Sequence, residues 1–516
     1  MTNAPGAPSA PTKKTFYIEN LGCPKNAVEG EGMAERLTRA GYASVERAAD
    51  AAVVVVNTCS FIRPAQEESI ARLFHYIQRR RGGQKVVAAG CLAERFGEAL
   101  TKDIPELDGV LGTRRWFEID RLVQEIERGG RPCWHGAEPV ADPTFTRQAG
   151  GPTAYVKIAE GCNMSCTFCA IPGFKGAQRS KSPAAIVSEI RDLVAAGVRE
   201  VILVSQNTTA YGLDLLRDAR DVPTGAPSTV SVSSGVPSGG QRAPLARLLE
   251  EICAAVPDLP WLRFHYCYPG WVDDDLLQTM ARLPQVVKYL DMPLQHAHPE
   301  MLKAMRRPRD VEHVKGVLRR AREIMPDIAL RTTFIAGFPG ETATHFQAIL
   351  RLMEEVRFDH VGVFPYYPEE GTPAAGLPGQ VSERTAQRRK ARALEVQQEI
   401  SLQRNRDFVG REVEVLVEGE AEGGPGQLIG RTYRDAPEVD GFVLFAGQAR
   451  RGDFVRVQVA GAGPYDLFGQ QVGLAAPALP APQGGPPGAP VSGPSPLTSP
   501  PGGRRVLRTL PVLQPR

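Results

Sequence analysis

The sequence predicts a multidomain α/β protein: an N-terminal parallel-sheet α/β domain, a partial (β/α)6 TIM-like barrel, and a small all-β domain on the C-terminal side. Three observations predict it. Apolar strand-sized runs alternate with amphipathic helical runs from residue 15 to about 364, the signature of parallel sheets covered by helices. A polar stretch over 136–152 divides that alternation into two series. Beyond residue 411 the pattern changes to short Val-rich runs broken by Gly and Pro, which suits antiparallel strands.

In the first series the strands fall at 15–18, 52–57, 86–89 and 109–111, with helical stretches such as 29–40 and 114–127 behind them. The second series holds strand-like runs at 154–159, 200–205, 262–266, 286–290, 329–335 and 360–364, each followed by a helical run. Six units fall short of the eight that close a barrel, so an open or partial barrel is expected. Within its second unit, 215–244 is rich in Ser, Gly and Pro and reads as a disordered insertion. The expected domains are therefore 14–130, 148–403 and 404–472, with disordered ends at 1–13 and 473–516.

With 42% hydrophobic and 23% charged residues the chain is of the globular class, and a net charge of +3 gives no bulk attraction to nucleic acid or to a membrane surface. No apolar run reaches the ~20 residues that a membrane helix needs, and the N-terminus lacks the core of a signal peptide. A cytoplasmic protein is expected. In that compartment nine cysteines point to metal or catalysis, not to disulfides.

GCNMSCTFC sets Cys162, Cys166 and Cys169 at C-x3-C-x2-C spacing directly after the first barrel strand. Soft thiolates select zinc or iron–sulfur clusters. A structural zinc wants four closed ligands, so three in one tight loop leave a metal position open for chemistry. The end of a barrel strand is also where active sites lie. The competing reading is a zinc knuckle that borrows His265 or His296 as its fourth ligand.

Cys23, Cys59 and Cys91 follow the first three strands of the N-terminal domain, and no local motif marks them. Loops after successive parallel strands leave from one sheet edge, so the three can converge on a second site. Independent burial of three unrelated cysteines competes with this. The turn-like settings ENLGCPKN, NTCSF and AAGCL favour convergence. Cys253, in a helical apolar stripe, and Cys267, at a strand end, read as core residues, and Cys133 as a linker thiol with no role.

The triplet loop, with Phe168 before its last cysteine, resembles the radical S-adenosylmethionine (AdoMet) superfamily. With Cys23, Cys59 and Cys91 upstream and a β domain downstream, the chain resembles the methylthiotransferases of that superfamily from about residue 14 to 473. GCPKN at 22–26, MPLQHAHPEMLKAMRRP at 292–308, YYPEEGTPAA at 366–375 and GRTYRDAPEVDG at 430–441 resemble the branch that modifies an aspartate of ribosomal protein S12. Asn20, Tyr367 and YPGW at 268–271 depart from that branch's usual residues without touching a cysteine.

The resemblance implies two 4Fe–4S clusters. One, on Cys162, Cys166 and Cys169, binds and reduces AdoMet, and the adenosyl radical takes a hydrogen from the aspartate β-carbon. The other, on Cys23, Cys59 and Cys91, carries or donates sulfur, and a second AdoMet supplies the methyl group. The implied partners are ribosomal protein S12 or the small ribosomal subunit, an electron donor and a sulfur donor; the implied enzyme is a monomer with no membrane association. The last domain resembles the TRAM type, which binds RNA elsewhere. Residues 404–470 hold eight arginines against eleven acids, so this example suits a basic protein better than phosphates.

Gln206 and Asn207 after strand two, and Gly337 and Glu341 in FIAGFPGE, are candidates for AdoMet contacts. Gln295 and His296 at the end of strand four are candidates for substrate contacts. Ordinary loop duty competes for each, and capping of the next helix for Glu341. Tyr155 and Lys157 read as packing and surface. Two other functions stay open: a tRNA-adenosine methylthiotransferase, and a non-catalytic metal-containing module that binds RNA or the ribosome.

Overall fold

Four consecutive valines, Val53 to Val56, are buried in the middle of the first sheet. A run with no polar face is stable only where both faces of the sheet are covered, and here both are. Val53 and Val55 pack with Met33, Leu37 and Leu122 on one side. Val54 and Val56 pack with Ile70, Leu73 and Leu100 on the other. The computed structural model describes residues 14–136, 145–147, 150–218, 242–421 and 426–475. The expected disordered start, nearly all of the expected insertion and nearly all of the expected tail lie outside the described residues.

The chain divides into two units, the first reaching Gly150 and including Ala170–Ala177. Its sheet contains β1 (Thr15–Asn20), β2 (Ala43–Ser44), β3 (Val53–Thr58), β4 (Lys85–Gly90), β5 (Gly109–Gly112) and β6 (Cys133–Trp134), in the order β2-β1-β3-β4-β5-β6. Every pairing is parallel. The two edge strands are two residues long, too short to leave a periodic signal, and were not expected. Cys133, expected in a linker, instead pairs with Val110 as part of β6. Arg147, also from the expected linker, is buried on Glu31 at 2.8 Å.

The second unit carries β7 (Thr153–Lys157), the short pair β8 (Ala159–Glu160) and β9 (Arg179–Ser180), then β10 (Glu200–Val204), β11 (Trp261–Phe264), β12 (Tyr289–Asp291), β13 (Ala329–Ala336) and β14 (His360–Pro365). Two parallel three-stranded sheets, β11-β10-β7 and β12-β13-β14, meet through a bridge between Leu262 and Val286. The strand expected at 286–290 thus contributes one bridge at its start and becomes regular only at Tyr289. Six parallel strands in chain order make the expected partial barrel. Lys157, expected at the surface, is buried and paired with Glu160 at 2.8 Å. Among the described residues no helix is long and apolar enough to cross a membrane.

A closed barrel follows, with β15 (Glu412–Glu420), β16 (Gln427–Arg431), β17 (Val443–Ala446), β18 (Phe454–Ala462) and β19 (Leu467–Leu474) in the order β15-β16-β17-β19-β18. The charged loop between β16 and β17 lies against the N-terminal ends of the partial-barrel strands. Glu200, first in β10, is gripped by Arg431 and Arg263, each at 2.7 Å. Tyr289, first in β12, donates to Asp440 at 2.6 Å, and His360, first in β14, bonds the Arg434 carbonyl at 2.9 Å. Burial alone would raise the Glu200 carboxyl, but Arg431 and Arg263 bring it down to about 2. GRTYRDAPEVDG is therefore an internal dock that closes one end of the strands. The side chains of Arg431, Arg434, Asp435 and Asp440 are buried there, two of each sign, so the acidic excess of this domain is untouched.

Candidate metal centres

The register of the first sheet aligns the first cysteine set. Thr58 stands opposite Gly90, so Cys59 and Cys91 leave β3 and β4 side by side. Asn20 stands opposite Asn57, which brings the turn that holds Cys23 to the same edge. Gly22 makes that turn at φ +88°, and a Cβ there would lie 2.6 Å from the Cys59 Cβ, so only glycine lets the two loops approach. One side chain ties all three loops together. Asn26 Nδ2 donates to the Leu21 carbonyl at 3.1 Å and the Thr58 carbonyl at 2.9 Å, and its Oδ1 accepts from Cys91 Sγ at 3.4 Å.

Cys23 stands at the N-cap position of the helix Pro24–Arg39, and Cys91 opens the helix Cys91–Asp103. Helix N-termini favour anionic sulfur. Burial works the other way: it, and then Cys23, push the Cys59 thiol up to about 12, and burial pushes Cys91 well above its ordinary range. A metal bound here would take the thiols as thiolates, releasing their protons. Three convergent soft donors, two of them at helix N-termini, fit an iron–sulfur cluster.

The second set is built locally. Cys169 N donates to the Cys166 carbonyl at 3.1 Å, and Met164 N to Cys162 Sγ at 3.4 Å, so the loop coils around its own sulfurs. Thr167, between the last two cysteines, is pinned by its hydroxyl to the Ala304 carbonyl at 2.8 Å, while its own carbonyl accepts from Ala374 N at 2.9 Å. Phe168 packs against the cluster of Met301, Met305, Phe338, Tyr366 and Ala374. All three cysteines are half-buried. Arg307 lies over the Tyr268 ring at 4.2 Å with Nη1 4.0 Å from Cys166 Sγ. Burial, opposed by Arg307 and reinforced by Cys166 and Cys162, pushes the Tyr268 phenol up to about 12. The compact soft-donor triplet beside a guanidinium fits a cluster with one open iron.

His296, one candidate fourth zinc ligand, is engaged at both ring nitrogens. Nδ1 accepts from Ala297 N at 2.9 Å and His298 N at 3.0 Å, while Nε2 meets Glu341 at 3.2 Å. His265, the other, faces Asp291 at 3.7 Å.

Polar groups gather at the C-terminal ends of the strands. Asn207 Nδ2, Gln178 Nε2 and the Tyr366 hydroxyl are buried without a hydrogen-bond partner among the described residues. Such orphans fit a polar co-substrate. Gln206 is half-buried beside Asn207. Gln295 and Tyr266 have φ of +73° and +66°, strain that clusters at functional sites. Gln295 is held there by backbone bonds to Thr333 and Ile335, both 2.8 Å.

Glu341 does not cap the next helix; Thr342 does, in a capping box with His345. Its buried carboxylate instead accepts from Gly337 N at 3.0 Å, Arg389 at 2.6 Å and His296. A Cβ on Gly337 would lie 2.4 Å from the Ala386 Cβ, so this glycine admits the helix Glu383–Arg406. Sequence reasoning missed Asn26, Arg307, Tyr266 and Tyr366; Asn26 in GCPKN, Arg307 in MPLQHAHPEMLKAMRRP and Tyr366 in YYPEEGTPAA carried a signal, and Tyr266 carried none.

His298, Glu300 and His345 place three ligand atoms within 4.8 Å of one another. Both histidines accept a backbone N–H at Nδ1, at 3.3 and 3.2 Å, so each carries its proton on Nε2. In that tautomer His345 Nε2 donates to Glu300 at 3.2 Å.

Family models agree with this division. The Radical SAM superfamily model matches residues 156–353, the Uncharacterized protein family UPF0004 model 15–112, and the TRAM domain model 409–472. Site and fold together define the class as radical SAM enzymes. Among curated relatives, the ribosomal protein uS12 methylthiotransferase RimO of Roseiflexus sp. (strain RS-1) is 45% identical over 482 residues, covering 89% of this chain and 97% of that protein. The protein of the same name from Herpetosiphon aurantiacus is 44% identical over 491 residues, covering 89% and 100%. The chain belongs to the RimO family of radical SAM methylthiotransferases.

Proposed function

We propose that this chain attaches a methylthio group to the β-carbon of an aspartate in ribosomal protein S12, using AdoMet and two 4Fe–4S clusters. The observation that carries this is a pair of separate three-cysteine sets, each at the C-terminal ends of parallel strands. Relatives 41–45% identical over about nine-tenths of the chain, named for that activity, support the substrate.

Cys162, Cys166 and Cys169 would hold the cluster that, with AdoMet, supplies radical attack on a C–H bond too inert for acid–base chemistry. Thr167 and Phe168 hold that loop in place, and Arg307 offsets thiolate charge beside Cys166. Gln206, Asn207, Gly337 and Glu341 form the AdoMet wall in this reading. Asn207 offers its unmatched amide directly, whereas Glu341 acts by holding the Gly337 backbone and His296. Gln295 faces the substrate, its strained backbone held for that purpose, and His296 supports it from behind. Cys23, Cys59 and Cys91 would hold the cluster that supplies sulfur, with Asn26 fixing their spacing.

Sulfur atoms and electrons come from outside, so a sulfur donor and an electron donor are required. The acidic β domain suits the basic partner, and the enzyme works as a cytoplasmic monomer. The test is the mass of S12 from cells with and without this gene. A methylthio increment that depends on the gene is expected; an unchanged S12 together with loss of the methylthio group from tRNA contradicts the substrate.

A further inference from the structure

Thr113 continues the row that begins with the cysteine loops. Gly90 stands opposite Gly112, so Thr113 leaves β5 beside Cys91 as Cys59 leaves β3 on its other side. Three strand ends carry a cysteine and the fourth carries a hydroxyl. An ion pair grips that hydroxyl: Lys175 Nζ donates to Thr113 Oγ1 at 2.7 Å and to Glu29 Oε1 at 2.8 Å, and Thr113 Oγ1 donates to Glu29 Oε2 at 2.6 Å. The side chains of Lys175 and Glu29 are 2% and 1% exposed. Lys175 belongs to the segment Ala170–Ala177 of the first unit, where the Phe174 carbonyl also accepts from Arg114 at 2.7 Å.

A buried ion pair is weak evidence for stability, because well-packed apolar residues often serve as well. Its place in a row of thiolate ligands supplies another reason. A thiolate-ligated cluster carries negative charge into a buried site, and the net charge around it sets its potential. Lys175 is bonded to Thr113, the strand-end neighbour of Cys91, so its ammonium lies at the cysteine end of this row. We propose that Lys175 is a positioning residue that balances the charge of a cluster on Cys23, Cys59 and Cys91 and raises its reduction potential, with Glu29 holding the lysine in place. This rests on the assignment of a cluster to those cysteines.

The test uses the full chain with C162A, C166A and C169A, reconstituted anaerobically so that one cluster remains, with its potential followed by electron paramagnetic resonance. Lys175→Met should lower the equilibrium constant for reduction at least tenfold, about 59 mV for one electron. Lys175→Arg, which keeps the charge, should stay within that margin, and Glu29→Gln should shift the potential upward. A lysine that merely packs its segment predicts no opposite signs. Unchanged potentials, or shifts of both neutral variants in one direction, overturn the proposal. Where Lys175→Met fails to hold a cluster, Glu29→Gln decides: a raised potential supports the proposal, an unchanged or lowered one overturns it. A parent variant with no cluster at all refutes the cysteine assignment itself, and the proposal with it.

Discussion

The two cysteine sets are assembled by opposite routes. Cys162, Cys166 and Cys169 lie on one short loop whose geometry is set by its own backbone and by neighbours such as Ala304 and Ala374. Cys23, Cys59 and Cys91 lie on three loops brought together by strand register, a glycine contact and one asparagine. Their burial differs as well: the local set is half-buried, while Cys59 and Cys91 are buried. A local loop can tolerate change elsewhere in its sheet. A site assembled from register depends on every pairing that sets it.

The sharpest break in that comparison is functional. Cys162→Ala should abolish AdoMet cleavage, whereas Cys59→Ala should keep some cleavage and lose sulfur insertion. Product analysis by mass spectrometry checks both, and equal loss of cleavage would contradict two independent centres. Next in size is the dock at the opposite strand ends. Glu200→Gln leaves Arg263 and Arg431 buried without their carboxylate and should cost about 3–5 kcal/mol in denaturant unfolding.

The same residue makes a pH prediction. Its carboxyl is lowered from 4.5 to about 2, so it stabilises the fold above the unfolded value, and that stability is lost as pH falls from about 4.5 towards 2. Unfolding measured across that window should be flatter in Glu200→Gln. Asp291, also lowered to about 2, keeps part of the slope.

Asn26→Ala removes buried partners from Leu21, Thr58 and Cys91 and should cost about 2–4 kcal/mol, with loss of the first cluster and retention of the second. Iron analysis of the variant checks this, and equal loss from both centres would show that the sets are not separate. The smallest effect belongs to the histidine group. His345→Ala loses one reciprocal cap, less than about 1 kcal/mol, and should change no metal content.

Legibility in the sequence follows the same contrast. The triplet and the β–α alternation are local patterns and could be read directly. Convergence of Cys23, Cys59 and Cys91 could be argued from topology, because parallel strands send their loops to one edge. The roles of Asn26, Lys175 and the dock at 431–440 could not, since partners such as Thr58, Glu29 and Glu200 lie 32, 146 and 231 residues away and only register or domain packing shows which groups meet. Edge strands of two residues left no period to detect. Glu341 looked like a cap because it precedes a helix; the adjacent Thr342 is the better cap, freeing Glu341 for His296 and Arg389.

Counting iron and acid-labile sulfide per chain in anaerobically reconstituted protein tests the central claim most directly, taken together with variants that lack either cysteine set. Two 4Fe–4S clusters in the parent, and one in each variant, are predicted. A single cluster in the parent, unaffected by loss of Cys23, Cys59 and Cys91, would contradict the account.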